Sequence, residues 1–151
     1  MKNYYKFYSY RYAYSQMKKA IEGKFYLEAI TIQESIITDR LLSFVIRKGL
    51  LVISDNNFHL ANVSLNNLTK LSKEHFDDDA LNIELDEFRF SRNKCIHAMV
   101  KSFPGNPTQK ISDFQKLARE TSFSGRVLTR KVDAWHTRMK KIIIIKASIP
   151  H

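Results

Sequence analysis

The sequence predicts an all-α fold, a compact bundle of four to six helices within one domain. The chain of 151 residues contains only four glycines and three prolines, and this scarcity favours long helices over a turn-rich β fold. Apolar residues make up 44% of the chain and recur at helical spacing, so a chain of this length can bury a core. We expect the core to span about residues 9–140, with residues 142–151 as a candidate tail.

The first two helices are predicted near the N-terminus. Apolar residues recur at helical spacing from Tyr10 to Glu22, which indicates the first helix. A long second helix is expected from Lys24 to Lys48, since Gly49 is typical of the position just beyond a helix. Its apolar residues form two adjacent stripes. We therefore expect it to be buried on more than one side, in the core or at an oligomer interface.

A short helix is predicted after a connector with a turn at Asp55-Asn56-Asn57. Ser64 is a favourable N-cap for this helix. Three leucines follow at helical spacing, and Leu65, Leu68 and Leu71 are expected to face the core.

Two segments complete the predicted bundle. The acids Asp77-Asp78-Asp79 complement the positive end of a helix dipole, and they indicate a longer helix that runs to about Ser102. Residues from Ser112 to about Lys146 supply one or two further helices, with a break at Ser124-Gly125 as one option. The residues from Ile142 onward fit a helix, a short strand or a mobile tail.

Composition restricts the class of protein. The formal net charge of +10 implies a polyanionic partner such as RNA, or an acidic partner protein. The single cysteine, Cys95, excludes an intrachain disulfide and a cysteine-based zinc cluster. The longest aliphatic run, Ile142 to Ile145, is far shorter than the roughly 20 residues of a membrane span. We expect a soluble cytoplasmic protein with no membrane association, no metal site and no cofactor.

An arginine interrupts the apolar stripe of the fourth predicted helix. The members of this stripe are Leu81, Leu85, Phe88, Cys95, Ile96 and Met99. Arg92 falls on the same phase, where a buried guanidinium needs a carboxylate, a ligand phosphate or a break in the helix. Glu34 and Asp39 on the second helix are its candidate partners. Such an ion pair would be structural, or it would position Arg92 for catalysis.

Arg92, Asn93 and His97 are the candidate catalytic residues. Asn93 and His97 lie four residues apart and share a helix face, whereas Arg92 and His97 are about 140° apart around an ideal helix. A helix bend, or a second copy of the site across a two-fold axis, would bring them together. A histidine can move protons and an arginine can stabilise a phosphate, so this set suits RNA cleavage without a metal. The alternative interpretation is that His97 is a structural histidine in the core.

The segment Leu85-Asp86-Glu87-Phe88, followed by Arg92-Asn93-x-x-x-His97-Ala98, resembles the signature of the HEPN family, in which an arginine precedes a histidine by four to six residues. The resemblance covers roughly residues 9 to 140. It implies a small helical bundle that forms a homodimer. It also implies that the protein is a metal-independent endoribonuclease. Such proteins act as toxins in toxin–antitoxin or antiphage defence systems. Some are neutralised by a nucleotidyltransferase-type antitoxin that modifies a tyrosine two residues after the histidine. Met99 stands at that position here, so a partner would have to act in another way.

Other interpretations remain open. Arg130 and His136 also fit the loose spacing, although Lys131 follows Arg130 and the segment resembles an ordinary basic helix. Its cations are the candidate RNA-binding residues, Arg126, Arg130, Lys131 and Arg138. The tyrosine-rich segment from Tyr4 to Tyr14 could stack on bases, but packing is the favoured role. The alternatives to an enzyme are a non-catalytic HEPN-like module that binds nucleotide, RNA or a protein, and a plain dimeric interaction bundle.

Overall fold

The computed structural model describes residues 3–51, 63–97, 99–100, 104–105 and 110–149, and it is a helical bundle. The described residues contain five α-helices, a short 3₁₀ turn at Lys73–His75 and no strand. The helices are α1 (Tyr4–Glu22), α2 (Tyr26–Arg47), α3 (Leu65–Ser72), α4 (Asp79–His97) and α5 (Ile111–Ala147). The predicted all-α fold is confirmed. The predicted turn at Asp55-Asn56-Asn57 lies outside the described residues.

Local sequence signals set several helix ends. The Asn3 side chain accepts a hydrogen bond from the Lys6 backbone N–H, so α1 begins six residues before the predicted start at Tyr10. Gly49 adopts a φ of +76°, and its N–H donates to the carbonyl of Ile46. This arrangement is a left-handed glycine cap after α2, as the sequence predicted. The Ser64 hydroxyl accepts from the Asn67 N–H at 3.2 Å and caps α3.

Helix α5 is continuous over 37 residues, and the break considered at Ser124-Gly125 is absent. Gly125 is buried within the helix and serves close packing. A methyl group at this position would overlap the Gln33 side chain and lie 2.7 Å from Phe88 Cε2. The helix also includes residues 142–147, so the first of the three interpretations of that segment is the observed one.

The core forms around α2, which packs against α1, α3 and α5, while α4 packs mainly on α5. Trp135 of α5 is fully buried between Phe44 and Phe76, with ring centroids at 4.7 and 5.0 Å. The Trp135 indole N–H donates to the His75 carbonyl at 3.0 Å. Leu71 is 39% exposed, so the expectation that all three α3 leucines face the core is wrong for this one.

The N-terminal aromatic residues divide into two groups. Tyr10 and Tyr14 anchor α1, because their hydroxyls donate to Asp39 and Asp133. The rings of the second group are exposed, and its members are Tyr4, Tyr5, Phe7, Tyr8 and Tyr12. The predicted packing role therefore holds for the first group only. None of the described helices has a stretch long and apolar enough to cross a membrane.

Candidate active site

Arg92 lies at the interface of α4 and α2 and pairs with Glu34. Its Nε donates to Glu34 Oε2 at 2.7 Å, and its Nη2 lies 2.7 Å from the same oxygen. The two side chains are 26% and 22% exposed, so the pair is shielded but still reachable from solvent. The α4 stripe is buried at Leu81, Leu85 and Phe88, and again at Cys95 beyond the arginine. The carboxylate therefore supplies the charge that a guanidinium on this phase requires.

Asn93 extends this pair into a polar cluster. Its Oδ1 accepts from Arg92 Nη1 at 2.6 Å, and its side chain is half-buried. A guanidinium has five N–H groups, and three of them are engaged by Glu34 and Asn93 within the described part of the chain. Two N–H groups are left for a ligand oxygen. The fixed orientation of Arg92 suits bidentate contact with a phosphate.

The cluster faces a groove of about 690 Å³ between α2, α4 and the start of α3, which we call the Arg92 groove. Its walls combine polar groups with the apolar side chains of Leu42, Val63 and Leu65. Hydroxyl groups come from α2, at Thr31, Ser35 and Thr38, and Arg89 adds a second guanidinium from α4. The Arg89 Nε is buried and has no hydrogen-bond partner among the described residues. A buried N–H without a partner is costly, and the Nη2 of the same guanidinium lies 3.6 Å from Asp86 of its own helix.

His97 is the last residue of α4, and its side chain is exposed. The interpretation as a core histidine is therefore wrong. It is not among the side chains that line the Arg92 groove, and α4 is an uninterrupted helix through residues 92–97. At about 100° per residue, Asn93 lies between Arg92 and His97 around the helix. The described chain thus places Arg92 and Asn93 together and leaves His97 on the adjacent outer face.

The second candidate partner of Arg92 is engaged elsewhere. Asp39 accepts hydrogen bonds from Lys6 Nζ at 2.9 Å and from the Tyr10 hydroxyl. Asp39 still lines the Arg92 groove, but it faces α1 because it lies five residues, about 140°, from Glu34 on α2. Its carboxylate anchors the first helix, and Glu34 alone pairs with the arginine.

The alternative Arg130 and His136 pair is not a shared site. Arg130 is exposed, whereas His136 is 5% exposed and its Nε2 lies 3.4 Å from the Ser43 hydroxyl. Burial, followed by the positive charges of Arg40 and Arg47, lowers the pKa of His136 to about 4. A histidine with such a low pKa is a poor general base at neutral pH.

The four candidate RNA-binding cations do not form one continuous track. Arg138 makes a bidentate pair with Asp77, at 2.7 and 3.0 Å, and Lys131 pairs with Glu84 at 2.6 Å. Both ion pairs tie α5 to the start of α4 or the segment before it. The other two, Arg126 and Arg130, lie four residues apart on a different face of α5. Arg126 stacks on a neighbouring phenylalanine ring.

The acidic run before α4 has structural roles in the described chain. The Asp78 side chain accepts from the Ala80 N–H at 2.9 Å and caps α4, while Asp77 pairs with Arg138. No group of three His, Cys, Asp or Glu side chains within the described ranges converges as metal ligands do. Burial raises the pKa of the Cys95 thiol, which fits the predicted role of a small core residue.

Sequence reasoning missed Arg89 and the hydroxyl groups of α2. Arg89, Arg92 and Asn93 are spaced three and four residues apart, so they share one face of α4. Thr31, Ser35 and Thr38 repeat in the same manner on α2. A polar stripe of this kind beside a buried apolar stripe is the sequence pattern from which these residues could have been predicted.

The apolar stripe predicted for α4 is longer than the one observed. It ends at Cys95, because Ile96 and Met99 are 43% and 44% exposed. The helix likewise ends at His97, five residues before the predicted end at Ser102, and Met99 and Val100 form a turn.

No family model, no curated protein and no solved structure matches this chain. The resemblance to the HEPN family therefore remains an expectation from the sequence alone.

Proposed function

We propose that this protein is a metal-independent endoribonuclease, active as a two-fold dimer. The observation that carries the proposal is the Glu34–Arg92–Asn93 cluster, which holds a guanidinium with two remaining N–H groups beside a groove that also presents hydroxyl groups. His97, four residues beyond Asn93 on α4, supplies an imidazole, a side chain that can accept and donate a proton. These are the functional groups needed to cleave RNA through its own 2′-hydroxyl.

The reaction follows from the chemistry of these groups. His97 takes the proton of a ribose 2′-hydroxyl, and the resulting oxygen attacks the adjacent phosphorus. Arg92 donates hydrogen bonds to the phosphate oxygens, where negative charge develops in the transition state. The bond from phosphorus to the 5′-oxygen breaks, and that oxygen takes a proton from water, while the protonated His97 returns its proton to the solvent. The products are a 2′,3′-cyclic phosphate and a 5′-hydroxyl end.

In this proposal, a second copy of the chain brings a His97 side chain close to Arg92. Because α4 is uninterrupted through residues 92–97, a bend does not bring Arg92 and His97 together. The outer face of α4 that carries His97 also carries Ile83 and Phe90, seven residues apart, and these are 58% and 59% exposed. An apolar face of this kind is suited to a protein contact. A two-fold dimer through this face would set each His97 beside the partner's groove.

The first experiment is cleavage of total RNA in excess chelator by the natural protein and by His97→Ala. We expect a loss of about a hundredfold or more in rate with the variant, and cyclic phosphate ends from the natural protein. Glu87→Ala is a matched control, since Glu87 is an exposed residue of the same helix. Equal cleavage by the natural protein and His97→Ala would refute the proposal.

Mixing two inactive variants tests the shared site. If each site takes Arg92 from one protomer and His97 from the other, a heterodimer of Arg92→Ala with His97→Ala keeps one intact site. Random assembly of an equal mixture would then recover about a quarter of the natural activity, because half of the dimers are heterodimers with one site each. A site formed within one chain would recover none. Recovery is measured after co-refolding, with each variant alone as the control.

Within this proposal, the protein acts as a toxin of a toxin–antitoxin or antiphage defence system. Expression of the natural protein should then arrest the growth of its host, and expression of His97→Ala should be tolerated. A partner protein that blocks the Arg92 groove or the His97 face would serve as antitoxin. Equal tolerance of both proteins would remove this part of the proposal.

One observation favours a non-catalytic module as the second candidate. Glu34 occupies the Nε edge of Arg92, as it would around a purely structural arginine. A module that binds RNA, nucleotide or a protein partner would show binding that is unchanged or only weakened in His97→Ala, and no cyclic phosphate in either preparation.

A further inference from the structure

A second cavity, distinct from the Arg92 groove, opens between the first turns of α1 and the facing sides of α2 and α5. It encloses about 750 Å³, a size typical of small-ligand sites, and we call it the N-terminal cavity. It shares no lining residue with the Arg92 groove. Helix α2 contributes Arg40, Ser43 and Arg47, and α5 contributes His136 and Lys140. These spacings of three, four and seven residues place each set on one helix face.

The charged side chains that line this cavity are all basic, namely Lys6, Arg40, Arg47 and Lys140. Two of these basic side chains already form ion pairs with carboxylates. Lys6 pairs with Asp39 at 2.9 Å, and Arg40 pairs with Asp133 at 2.7 Å. Arg47 and Lys140 make no ion pair within the described residues, and both are exposed. The cavity therefore presents two cations that an anionic ligand could neutralise.

Aromatic rings of α1 form the opposite wall. Tyr4, Phe7 and Tyr8 line the cavity and are 64%, 58% and 61% exposed. Their spacing of three and four residues sets them on one face. The helix that carries them is held in place, because Tyr10 and Tyr14 hydrogen-bond to carboxylates of α2 and α5. Exposed rings on a fixed helix provide a surface on which a planar base can stack.

The floor is polar and carries no charge at neutral pH. His136 is buried there beside Ser43, and its lowered pKa, about 4, keeps the imidazole neutral. A neutral imidazole offers one N–H donor and one acceptor nitrogen. Together with the serine hydroxyl, it can hydrogen-bond to a sugar hydroxyl or to the edge of a base. The wall thus combines cations, aromatic faces and neutral polar groups.

We propose that the N-terminal cavity binds a nucleotide, with the phosphate between Arg47 and Lys140 and the base against Tyr4, Phe7 and Tyr8. The same chemistry is offered by a free nucleotide and by one nucleotide of a single-stranded RNA. The proposal is independent of the nuclease proposal, since it uses no residue of the Arg92 groove and not His97.

Binding is tested with two probes, adenosine 5′-monophosphate by calorimetry and a short labelled single-stranded RNA by fluorescence anisotropy. The protein carries His97→Ala, which removes the proposed base for RNA cleavage, and gel electrophoresis of the labelled RNA after each titration checks that the strand is still intact. We expect Arg47→Gln combined with Lys140→Gln to weaken binding about tenfold or more, because both phosphate contacts are lost. Lys18→Gln combined with Lys70→Gln removes the same charge from exposed positions elsewhere and should change affinity less than about twofold.

The aromatic wall has its own pair of variants. Tyr8→Ala should weaken binding about tenfold through lost stacking, whereas Tyr8→Phe should retain it. All substituted side chains are exposed, and circular dichroism checks that the variants remain folded.

The outcomes separate the ligand source from the proposal itself. Binding of the monophosphate that depends on Arg47 and Lys140 identifies a free nucleotide, and such binding of the RNA alone identifies a strand. Equal losses in the cavity variants and the charge control would overturn the proposal, as would Tyr8→Ala binding like the parent protein. If the nuclease proposal fails because His97→Ala and the natural protein cut RNA alike, the monophosphate result is unaffected, since that probe has no internucleotide bond to cut.

Discussion

Replacing Gly125 with alanine would test how closely α2, α4 and α5 approach one another. A methyl group at position 125 would overlap the amide oxygen of Gln33 and lie 2.7 Å from Phe88 Cε2. Gln33 is fully buried, and its Nε2 donates to the Ser122 carbonyl at 2.7 Å. The new methyl group can be accommodated only if Gln33 shifts away, and this movement breaks the hydrogen bond.

Two opposing effects decide the sign. Alanine is preferred over glycine inside a helix by about 1 kcal/mol. Breaking the buried hydrogen bond costs about 1–3 kcal/mol, since an amide and a carbonyl lose their partners. Overpacking at a contact of this kind adds about 1–3 kcal/mol. The unfavourable effects exceed the helix preference, so we expect Gly125→Ala to lower the free energy of unfolding by about 3 kcal/mol.

The measurement is urea denaturation followed by far-ultraviolet circular dichroism. Ser124→Ala is the matched control, because Ser124 is the exposed neighbour on the same helix, and its effect should be small. Adding Gln33→Ala to Gly125→Ala removes the overlapping side chain, so the double variant should be more stable than the sum of the two single effects predicts. A Gly125→Ala protein about 1 kcal/mol more stable than the natural one would refute this packing argument.

Three further predictions concern polar groups in and near the core. The pKa of His136 is about 4 in the folded protein and about 6.5 in the unfolded chain. Its contribution to the free energy of unfolding is therefore fully present above pH 6.5. As pH falls from there to about 4, urea denaturation should show a loss of about 3 kcal/mol that His136→Gln abolishes. Glu34→Gln should lower the free energy of unfolding by about 1 kcal/mol, because Arg92 loses its charged partner but remains partly solvated; no change in urea denaturation would contradict the pairing. Trp135→Phe should cost about 2 kcal/mol by the same assay, since the His75 carbonyl loses its donor, and an unchanged midpoint would count against that bond.

Features encoded within a few residues were predictable from the sequence. Gly49 and Ser64 are end signals whose geometry depends only on their neighbours, and both lie where expected. The N-cap at Asn3 was equally local. The early start of α1 was nevertheless not predicted, because the aromatic residues from Tyr4 to Tyr14 do not all fall on one helical face.

Features that depend on which faces meet were not predictable. The sequence offered two acids of α2 as candidate partners of Arg92, but the choice between Glu34 and Asp39 depends on how α2 is rotated against α1 and α4. Gly125 looked like a helix break, because nothing in its own segment reveals the large side chains of Gln33 and Phe88 opposite it.

The candidate RNA-binding residues show the same limit. Lys131 and Arg138 resembled members of a basic track until their partners, Glu84 and Asp77, were located. These acids lie 47 and 61 residues away in the chain, so the charge pattern of α5 alone could not show that the two cations are neutralised.

The central position of α2 has a consequence for synthesis of the chain. Residues 26–47 form α2 and pack most extensively against α5, which begins only at residue 111. A ribosome adding about 5–20 residues per second therefore exposes most of the nascent protein before the last helix exists. During those seconds the apolar surface of α2 that α5 will cover stays open to water. The interval between making α2 and making α5 is when this chain is most exposed to chaperones and to aggregation.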